Sequence, residues 1–216
     1  MANELYPIFL KVHQFDTLIV GGGEVGLEKL TFLLRSSPNA KVTLVGKEIL
    51  PGIKELAKSH NAVTLIERPY FDEDLTEMQM VIIATENNAL NLKIREEAKA
   101  RGLLVNVADT PELCDFYLGS IVTKGDLKVA ISTNGKSPTI AKRLKEVLND
   151  ILPDEVDALL QNMRAIRDQL KGSFGAKVQK LNHITEDMVA QQHTDPCPNG
   201  CPFGLNHRRE VIEEKS

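Results

Sequence analysis

Three glycines with the spacing Gly-x-Gly-x-x-Gly, at Gly21, Gly23 and Gly26, are the first residues of this sequence that could do chemistry. They follow a short apolar run, 17–20, and precede leucines at helical spacing, which is the strand–turn–helix context of a dinucleotide-binding turn. In such a turn the first glycine permits the tight bend, the second lets the backbone approach a pyrophosphate, and the third allows close helix–strand packing. The pattern predicts a dinucleotide site at a helix N-terminus. The alternative is a strand–helix turn that binds nothing.

The elements that must position this turn follow from apolar runs that alternate with helical patterns. The run 80–84 is apolar throughout, as expected for a central parallel strand that is buried on both faces. Strands separated by helices imply right-handed crossovers in one parallel sheet. We therefore expect an α/β fold with a doubly wound, Rossmann-like sheet in the order 3-2-1-4-5, preceded by an extended lead-in at 6–12. The predicted strands are 17–20, 41–45, 62–67, 80–84 and 103–107, and helices are predicted at 49–59 and 88–101.

The alternation of apolar strands with helices ends after Pro111. Two β-rich runs around Lys124-Gly-Asp126 predict a hairpin, and Ser137 before Pro138 predicts the start of a helix. Two further amphipathic helices are predicted, one from near Pro153 to Gly172 and one from roughly Ala176 to Gln191. We expect four segments: a dinucleotide-binding domain at 1–112, a hairpin and dimerisation region at 113–150, a helical domain at 151–192, and a flexible tail at 193–216 that contains Cys, His and Pro.

The apolar faces of the hairpin and the later helices exceed what the first domain can cover. Burial against a second copy of the chain would cover them, so we expect a homodimer. The alternative is that these helices pack back onto the chain's own sheet.

Composition narrows the class of protein. The 216 residues carry a net charge of −4 and no Trp, which favours neither general attraction to nucleic acid nor a base-stacking platform. We find no signal-peptide pattern and no apolar run of the ~20 residues that span a bilayer. An odd number of cysteines, three, does not suggest a disulfide framework. We therefore expect a cytoplasmic protein that binds neither nucleic acid nor membrane.

Four motifs together resemble a known family. Leu18-Ile-Val-Gly-Gly-Gly-Glu-Val-Gly26, Ala84-Thr-Glu86, Asn106-Val-Ala-Asp-Thr-Pro111 and Ser132-Thr-Asn-Gly-Lys-Ser-Pro138 occur in the order typical of precorrin-2 dehydrogenases, which also form the N-terminal part of sirohaem synthases. The resemblance implies NAD-dependent oxidation of precorrin-2, a tetrapyrrole, to sirohydrochlorin. Some members also insert Fe²⁺, as a substrate, to give sirohaem. The methyltransferase half of the fused enzymes is absent from this sequence.

The same resemblance assigns cofactor-binding residues. Glu24 and Val25 match positions that contact NAD in the family, and Lys47 and Glu48 match a second contact pair. Glu48 also lies near the spacing expected for the acid that binds the adenosine ribose, although it could be a solvated acid at a helix N-terminus. Lys47 could reach a 2′-phosphate, so NADP stays an alternative to NAD. Thr85 is expected to face the nicotinamide side of the cleft.

Asp109 matches the functional aspartate of the family, and we predict that it is catalytic. Oxidation of a reduced tetrapyrrole removes a proton together with the hydride, and a carboxylate can act as the general base. In metal insertion the same carboxylate could accept pyrrole protons. The alternative is an Asp that makes a turn before Thr-Pro.

The substrate carries many carboxylates, so an acidic protein must concentrate positive charge locally to bind it. Lys124, Thr133, Lys136 and Ser137 lie around the hairpin and the following loop and are candidates for this role. Thr133 occupies the position of a family serine that is phosphorylated in some members.

The end of the chain departs from the family pattern. Cys197 and Cys201 are weak candidates for soft-metal ligands, because their spacing is not a standard zinc or iron–sulfur pattern. We otherwise expect no metal site. Two other functions stay open: a nucleotide-sensing regulatory module with a Rossmann-like fold, and a chelatase without dehydrogenase turnover.

Overall fold

A computed structural model describes residues 3–190, with side chains described up to residue 185. Its first part is a five-stranded parallel sheet in the order β3-β2-β1-β4-β5, which confirms the predicted topology. The strands are β1 Asp16–Val20, β2 Lys41–Gly46, β3 Val63–Glu67, β4 Met80–Ile83 and β5 Leu104–Val107. The helices between them are α1 Glu24–Ser36, α2 Pro51–Lys58 and α3 Asn88–Ala100.

Alternate residues of the central strands bury their side chains on opposite faces of the sheet. On one face Leu18 and Ile83 pack in a core cluster with Ile94 of α3. On the other face Ile19 and Ile82 pack with α1 and α2, through residues that include Leu30 and Ile53. Both faces of β1 and β4 are therefore buried from solvent. This explains why their sequences are apolar throughout and do not alternate between apolar and polar residues.

The segment before β1 differs in part from the expectation. Residues 3–11 have no assigned strand, and Val12–Gln14 forms a single 3-10 turn instead. Tyr6, Ile8 and Phe9 are exposed. Pro7, which has no backbone N–H to donate, disfavours pairing with the sheet here.

The predicted hairpin is confirmed, with strands β6 Ser120–Lys124 and β7 Leu127–Ile131. Gly125 takes a positive φ of +54° in its turn. The next helix, α4, runs from Pro138 to Ile151, and the Ser137 side chain accepts a hydrogen bond from the Ile140 N–H at 3.2 Å as its N-cap. Lys128 of β7 donates to the carbonyl of Ser36, the last residue of α1. A cation at a helix C-terminus is favourable, and this bond ties the hairpin to the first domain.

The chain divides into two compact units, 1–157 and 158–216. The hairpin and α4 therefore belong to the same unit as the sheet. The second unit contains most of α5 Val156–Gln169 and all of α6 Phe174–Ala190. The finer division into four segments stays a prediction. Within residues 3–190, no helix combines the length and hydropathy that a membrane span requires.

Candidate active site

The candidate cofactor-binding residues and Asp109 lie along one edge of the parallel sheet. Val20 at the end of β1 pairs with Val45 of β2 and with Ile83 of β4, and Ile83 pairs with Val107 of β5. The strands thus end level with one another, and the segments that follow them share the carboxyl edge. The order reverses between β1 and β4, which is where doubly wound sheets bind nucleotides.

Glycine is required at two positions of the turn, because other backbone atoms approach them too closely for a side chain to fit. Gly21 has a φ of +126°, and a Cβ there would lie 2.2 Å from the Ala84 carbonyl oxygen. A Cβ at Gly26 would lie 2.0 Å from the Gly21 carbonyl oxygen. The first glycine therefore packs against β4, and the third lets α1 start directly on the turn. These are the tasks predicted for them.

Gly23 has a different environment, because no atom lies within 4 Å of the position that a Cβ would occupy. Gly23 is the N-cap of α1. The N–H groups of the first helical turn, which have no partner within the helix, therefore lie beside unoccupied space at Gly23. Glu24 is exposed and Val25 half-buried in that first turn. An open, glycine-lined helix N-terminus fits a pyrophosphate, and the site therefore suits a dinucleotide.

Gly22 has a role that the sequence analysis missed. A Cβ there would lie 2.1 Å from the Glu48 carbonyl oxygen, and the Gly22 carbonyl accepts the Leu50 N–H at 3.0 Å. The glycine turn and the loop after β2 are therefore in direct contact, which places Lys47 and Glu48 beside the turn. Three consecutive glycines were the available signal, since the dinucleotide pattern itself leaves this position free.

Lys47 and Glu48 are both exposed, and within the described chain neither has a hydrogen bond or ion pair. Their loop is held by Glu67, at the end of β3. One carboxylate oxygen of Glu67 accepts the Ile49 N–H at 3.1 Å, and the other accepts from Lys54 at 2.8 Å. The bond from Lys54, followed by that from Ile49, lowers the pKa of Glu67. Sequence analysis also missed this residue.

Thr85 lies at the end of β4, but its hydroxyl is engaged. The hydroxyl donates to the Asn91 Oδ1 at 2.5 Å and accepts the Asn87 N–H at 3.2 Å. The buried Asn91 returns a bond from its Nδ2 to the Thr85 carbonyl at 2.9 Å. The side chain of Thr85 thus fixes the start of α3, and a contact with the nicotinamide stays a prediction for this residue.

Asp109 follows β5 at the same edge. Its φ of +57° is left-handed, a conformation that Asp adopts more readily than most residues. Ala108, one residue earlier, still extends the ladder by donating to the Ile83 carbonyl at 2.9 Å. The carboxylate is exposed and has no hydrogen bond or ion pair among residues 3–185. The backbone therefore uses Asp109 as a turn residue while its carboxylate stays free for chemistry.

The four candidates for substrate binding have different surroundings. Lys124 forms an ion pair with Asp154 at 2.5 Å, and its side chain is only 16% exposed. The Thr133 hydroxyl donates to the Ser137 carbonyl at 3.1 Å and accepts its N–H at 3.2 Å, while the Ser137 side chain caps α4. Lys136 is exposed and, in the described structure, unpaired. Of the four, Lys136 is the one whose charge is free.

Among the residues that the structure describes, no group of three or more His, Cys, Asp or Glu side chains could hold a metal ion. Cys197 and Cys201 lie outside those residues.

We call the turn formed by residues 21–26 the glycine cradle. Comparison with known families indicates which kind of ligand the domain containing this cradle binds. A family model described as "Putative NAD(P)-binding" matches residues 8–120, which contain the glycine turn and Asp109. The chain belongs to this NAD(P)-binding family. A second model, described as sirohaem biosynthesis protein central, matches residues 124–150, which cover most of the hairpin and α4.

The chain is also similar, over most of its length, to siroheme synthases. The chain is 34% identical over 186 residues to a siroheme synthase of Pseudoalteromonas atlantica, covering 86% of this chain and 39% of that protein. It is 36% identical over 165 residues to siroheme synthase 1 of Klebsiella pneumoniae, covering 76% of this chain and 34% of the other. The chain thus spans well under half the length of these relatives.

A solved structure is similar over most of the chain. The fold is similar to that of SirC, a precorrin-2 dehydrogenase, with a TM-score of 0.68 and 25% identity over 85% of this chain and 91% of that chain. The resemblance expected from the sequence motifs is confirmed. The matched region covers nearly the whole SirC chain.

The contact network of Glu67 leads to a prediction for this NAD(P)-binding protein. Glu67→Ala releases the Ile49 N–H and Lys54, so the loop that carries Glu48 loses an anchor beside the glycine turn. We expect the Kd for NAD to rise on the order of tenfold, the equivalent of one hydrogen bond. Calorimetric titration measures it. Glu55→Ala is the matched control, because Glu55 pairs only with the exposed Lys58. Equal Kd values for both variants would contradict the role of Glu67.

Proposed function

We propose that the chain catalyses the NAD-dependent oxidation of precorrin-2 to sirohydrochlorin, a step of sirohaem biosynthesis. The observation that carries this proposal is the free carboxylate of Asp109 on the same sheet edge as the glycine cradle. The likeness to SirC and to siroheme synthases supports this substrate. We also propose a cytoplasmic location, where NAD is available to the reaction.

The protein's own residues divide the work as follows. The open backbone at Gly23 and the first turn of α1 would hold the pyrophosphate, in a turn that Gly21 and Gly26 shape, and Glu48 would hold the adenosine ribose. When bound, NAD supplies the acceptor for the hydride. Asp109 accepts the proton that precorrin-2 loses with that hydride, so two electrons and two hydrogens leave the substrate. General base catalysis of this kind typically contributes about 10²–10⁴-fold to a rate.

We propose NAD rather than NADP as the cofactor. The exposed carboxylate of Glu48 lies beside the glycine turn, where it can accept a hydrogen bond from a ribose 2′-hydroxyl and would repel a 2′-phosphate. Lys47 is the neighbouring charge that would favour NADP. Equal Kd values for the two nucleotides would contradict this choice.

The substrate carboxylates require a positive partner, and Lys136 is the candidate whose exposed charge has no partner among the described side chains. We further propose that the active protein is a homodimer. Ile140 and Ile151 of α4 are 56% and 69% exposed, and a second copy would cover this apolar surface.

Iron insertion into sirohydrochlorin is a second candidate activity, because the free carboxylate of Asp109 could also accept the pyrrole protons that an entering Fe²⁺ displaces. In that reaction Fe²⁺ is a substrate.

One anaerobic experiment separates these functions. The protein is incubated with precorrin-2 and NAD, first without metal and then with Fe²⁺ or Co²⁺. A third arm supplies sirohydrochlorin and the same metals. We expect sirohydrochlorin in the first arm, with a metallated product in the second if iron insertion occurs. Metal insertion into supplied sirohydrochlorin without oxidation would indicate a chelatase, and NAD binding with neither reaction would indicate a sensing module.

A further inference from the structure

The open edge of β5 is covered by a returning segment, through one backbone bond and two side chains, instead of another strand. After the Asp109 turn the chain folds back, and Asp115 pairs with Val105 of β5. The Asp115 N–H donates to the Val105 carbonyl at 2.8 Å, and the Asp115 Oδ2 accepts the Val105 N–H at 2.9 Å. The Cys114 Sγ accepts the next outward N–H, that of Val107, at 3.2 Å. We call Cys114 and Asp115 the β5 clasp.

The clasp closes the turn that carries Asp109. The Cys114 Sγ lies 3.2 Å from the Val107 carbonyl oxygen and 3.4 Å from the Thr110 carbonyl oxygen, so its S–H can donate to either. Thr110 in turn donates its N–H to the Val107 carbonyl at 3.3 Å. These contacts join the two ends of a short turn with Asp109 between them. Burial, the largest effect, raises the pKa of the Cys114 thiol, which favours the protonated, donating form.

Two further bonds fix the clasp to the domain. Asp115 Oδ1 accepts from Lys99, near the end of α3, at 2.7 Å. The buried Asn106 donates from its Nδ2 to the Phe116 carbonyl at 2.8 Å. The returning segment is therefore attached to both α3 and β5, whereas Asp109 itself has no side-chain partner in the described structure.

A left-handed residue other than glycine persists only when its surroundings fix it. The left-handed φ of Asp109 needs such support. Alongside the ladder bond of Ala108 and the bonds of Thr110, the side-chain contacts of the clasp supply it. We propose that Cys114 and Asp115 are positioning residues that hold the Asp109 carboxylate at the cofactor edge. This inference rests on the proposed function, because it assigns the clasp to the same proton transfer.

The kinetic test compares Cys114→Ala with Cys114→Ser. Alanine removes both the donor and the acceptor of the clasp, whereas serine keeps them in a smaller side chain. We expect kcat for precorrin-2 oxidation to fall on the order of tenfold with alanine and to be largely restored with serine, since small displacements of a catalytic group cost rate steeply. The KM for NAD should not change. Asp115→Ala is the second variant, and Glu96→Ala, an exposed residue of α3, is the control.

A double-mutant cycle with Asp109→Ala distinguishes positioning from general damage. If the clasp acts through Asp109, Cys114→Ala should cause no further loss of kcat once Asp109 has been replaced. A full tenfold loss in that background would overturn the proposal.

Amide hydrogen exchange tests the clasp without any turnover. Exchange across residues 105–110, followed by mass spectrometry on the full chain, should accelerate in Cys114→Ala and Asp115→Ala but not in the Glu96→Ala control. Unchanged exchange in both clasp variants would overturn the proposal. A parent protein that does not oxidise precorrin-2 would contradict the proposed function and the catalytic role of the clasp, while accelerated exchange would still show that the clasp holds the turn.

Discussion

Replacing Asp109 with alanine is expected to lower kcat for precorrin-2 oxidation by about 10²–10⁴-fold, the usual contribution of a general base. The carboxylate is exposed at the end of β5, and no other side chain of the described chain pairs with it. Its removal should therefore disturb few structural contacts. NAD affinity should stay the same, because the glycine cradle and the Glu48 loop are separate segments of the edge. Steady-state kinetics under anaerobic conditions gives kcat and KM.

Asp109→Asn is the matched variant for this prediction. Asparagine adopts the left-handed conformation as readily as aspartate, so it preserves the backbone with φ of +57° but removes the base. The asparagine variant should match alanine in kcat and the parent in thermal stability. Parent-like kcat in the asparagine variant would show that Asp109 is only a turn residue.

Replacing Gly21 with alanine is expected to destabilise the protein by about 3 kcal/mol or more, in the range of mutations that combine backbone strain with overpacking. The new Cβ would lie 2.2 Å from the backbone carbonyl of Ala84, at a φ of +126° that side chains rarely adopt. Because the obstacle is the backbone of Ala84, directly after β4, a rotamer change cannot relieve it. The measurement is the free energy of unfolding from urea denaturation.

Gly23→Ala is the matched change in the same turn. Nothing lies within 4 Å of its Cβ position, so stability should fall by no more than about 1 kcal/mol, the usual difference between glycine and alanine at an N-cap. Its methyl group would instead occupy the space through which a pyrophosphate approaches. We expect the Kd for NAD to rise on the order of tenfold or more. If Gly23→Ala bound NAD normally, the assignment of the cradle would be wrong.

The strand order could be predicted because its causes are local. Apolar runs such as Val81-Ile82-Ile83 identify strands that are buried on both faces, and the handedness of crossovers leaves few topologies for five parallel strands. The glycine turn was likewise predictable, since strand, turn and helix occur within a short stretch.

The side-chain contacts that hold the loops around the site could not be predicted from the sequence in this way. Glu67 anchors Ile49, 18 residues away, and Lys124 pairs with Asp154, 30 residues away. Such contacts depend on how loops meet after the sheet has formed, and a charged residue in a sequence does not indicate its partner. For this reason Lys124 was a candidate for substrate binding, although its ammonium group pairs with the exposed carboxylate of Asp154. Lys136 and Asp109, in contrast, are exposed where the motifs suggested them and have no side-chain partner among residues 3–185.

The most direct test of the proposed reaction is the stoichiometry of the products. The protein is mixed anaerobically with precorrin-2 and excess NAD in the absence of metal, and NADH and sirohydrochlorin are followed together by absorbance. We expect one NADH for each sirohydrochlorin, with both signals rising at the same rate and both lost in Asp109→Asn. Sirohydrochlorin that forms without NADH, or bound NAD that is never reduced in the presence of precorrin-2, would contradict the assignment of this chain as an NAD-dependent dehydrogenase.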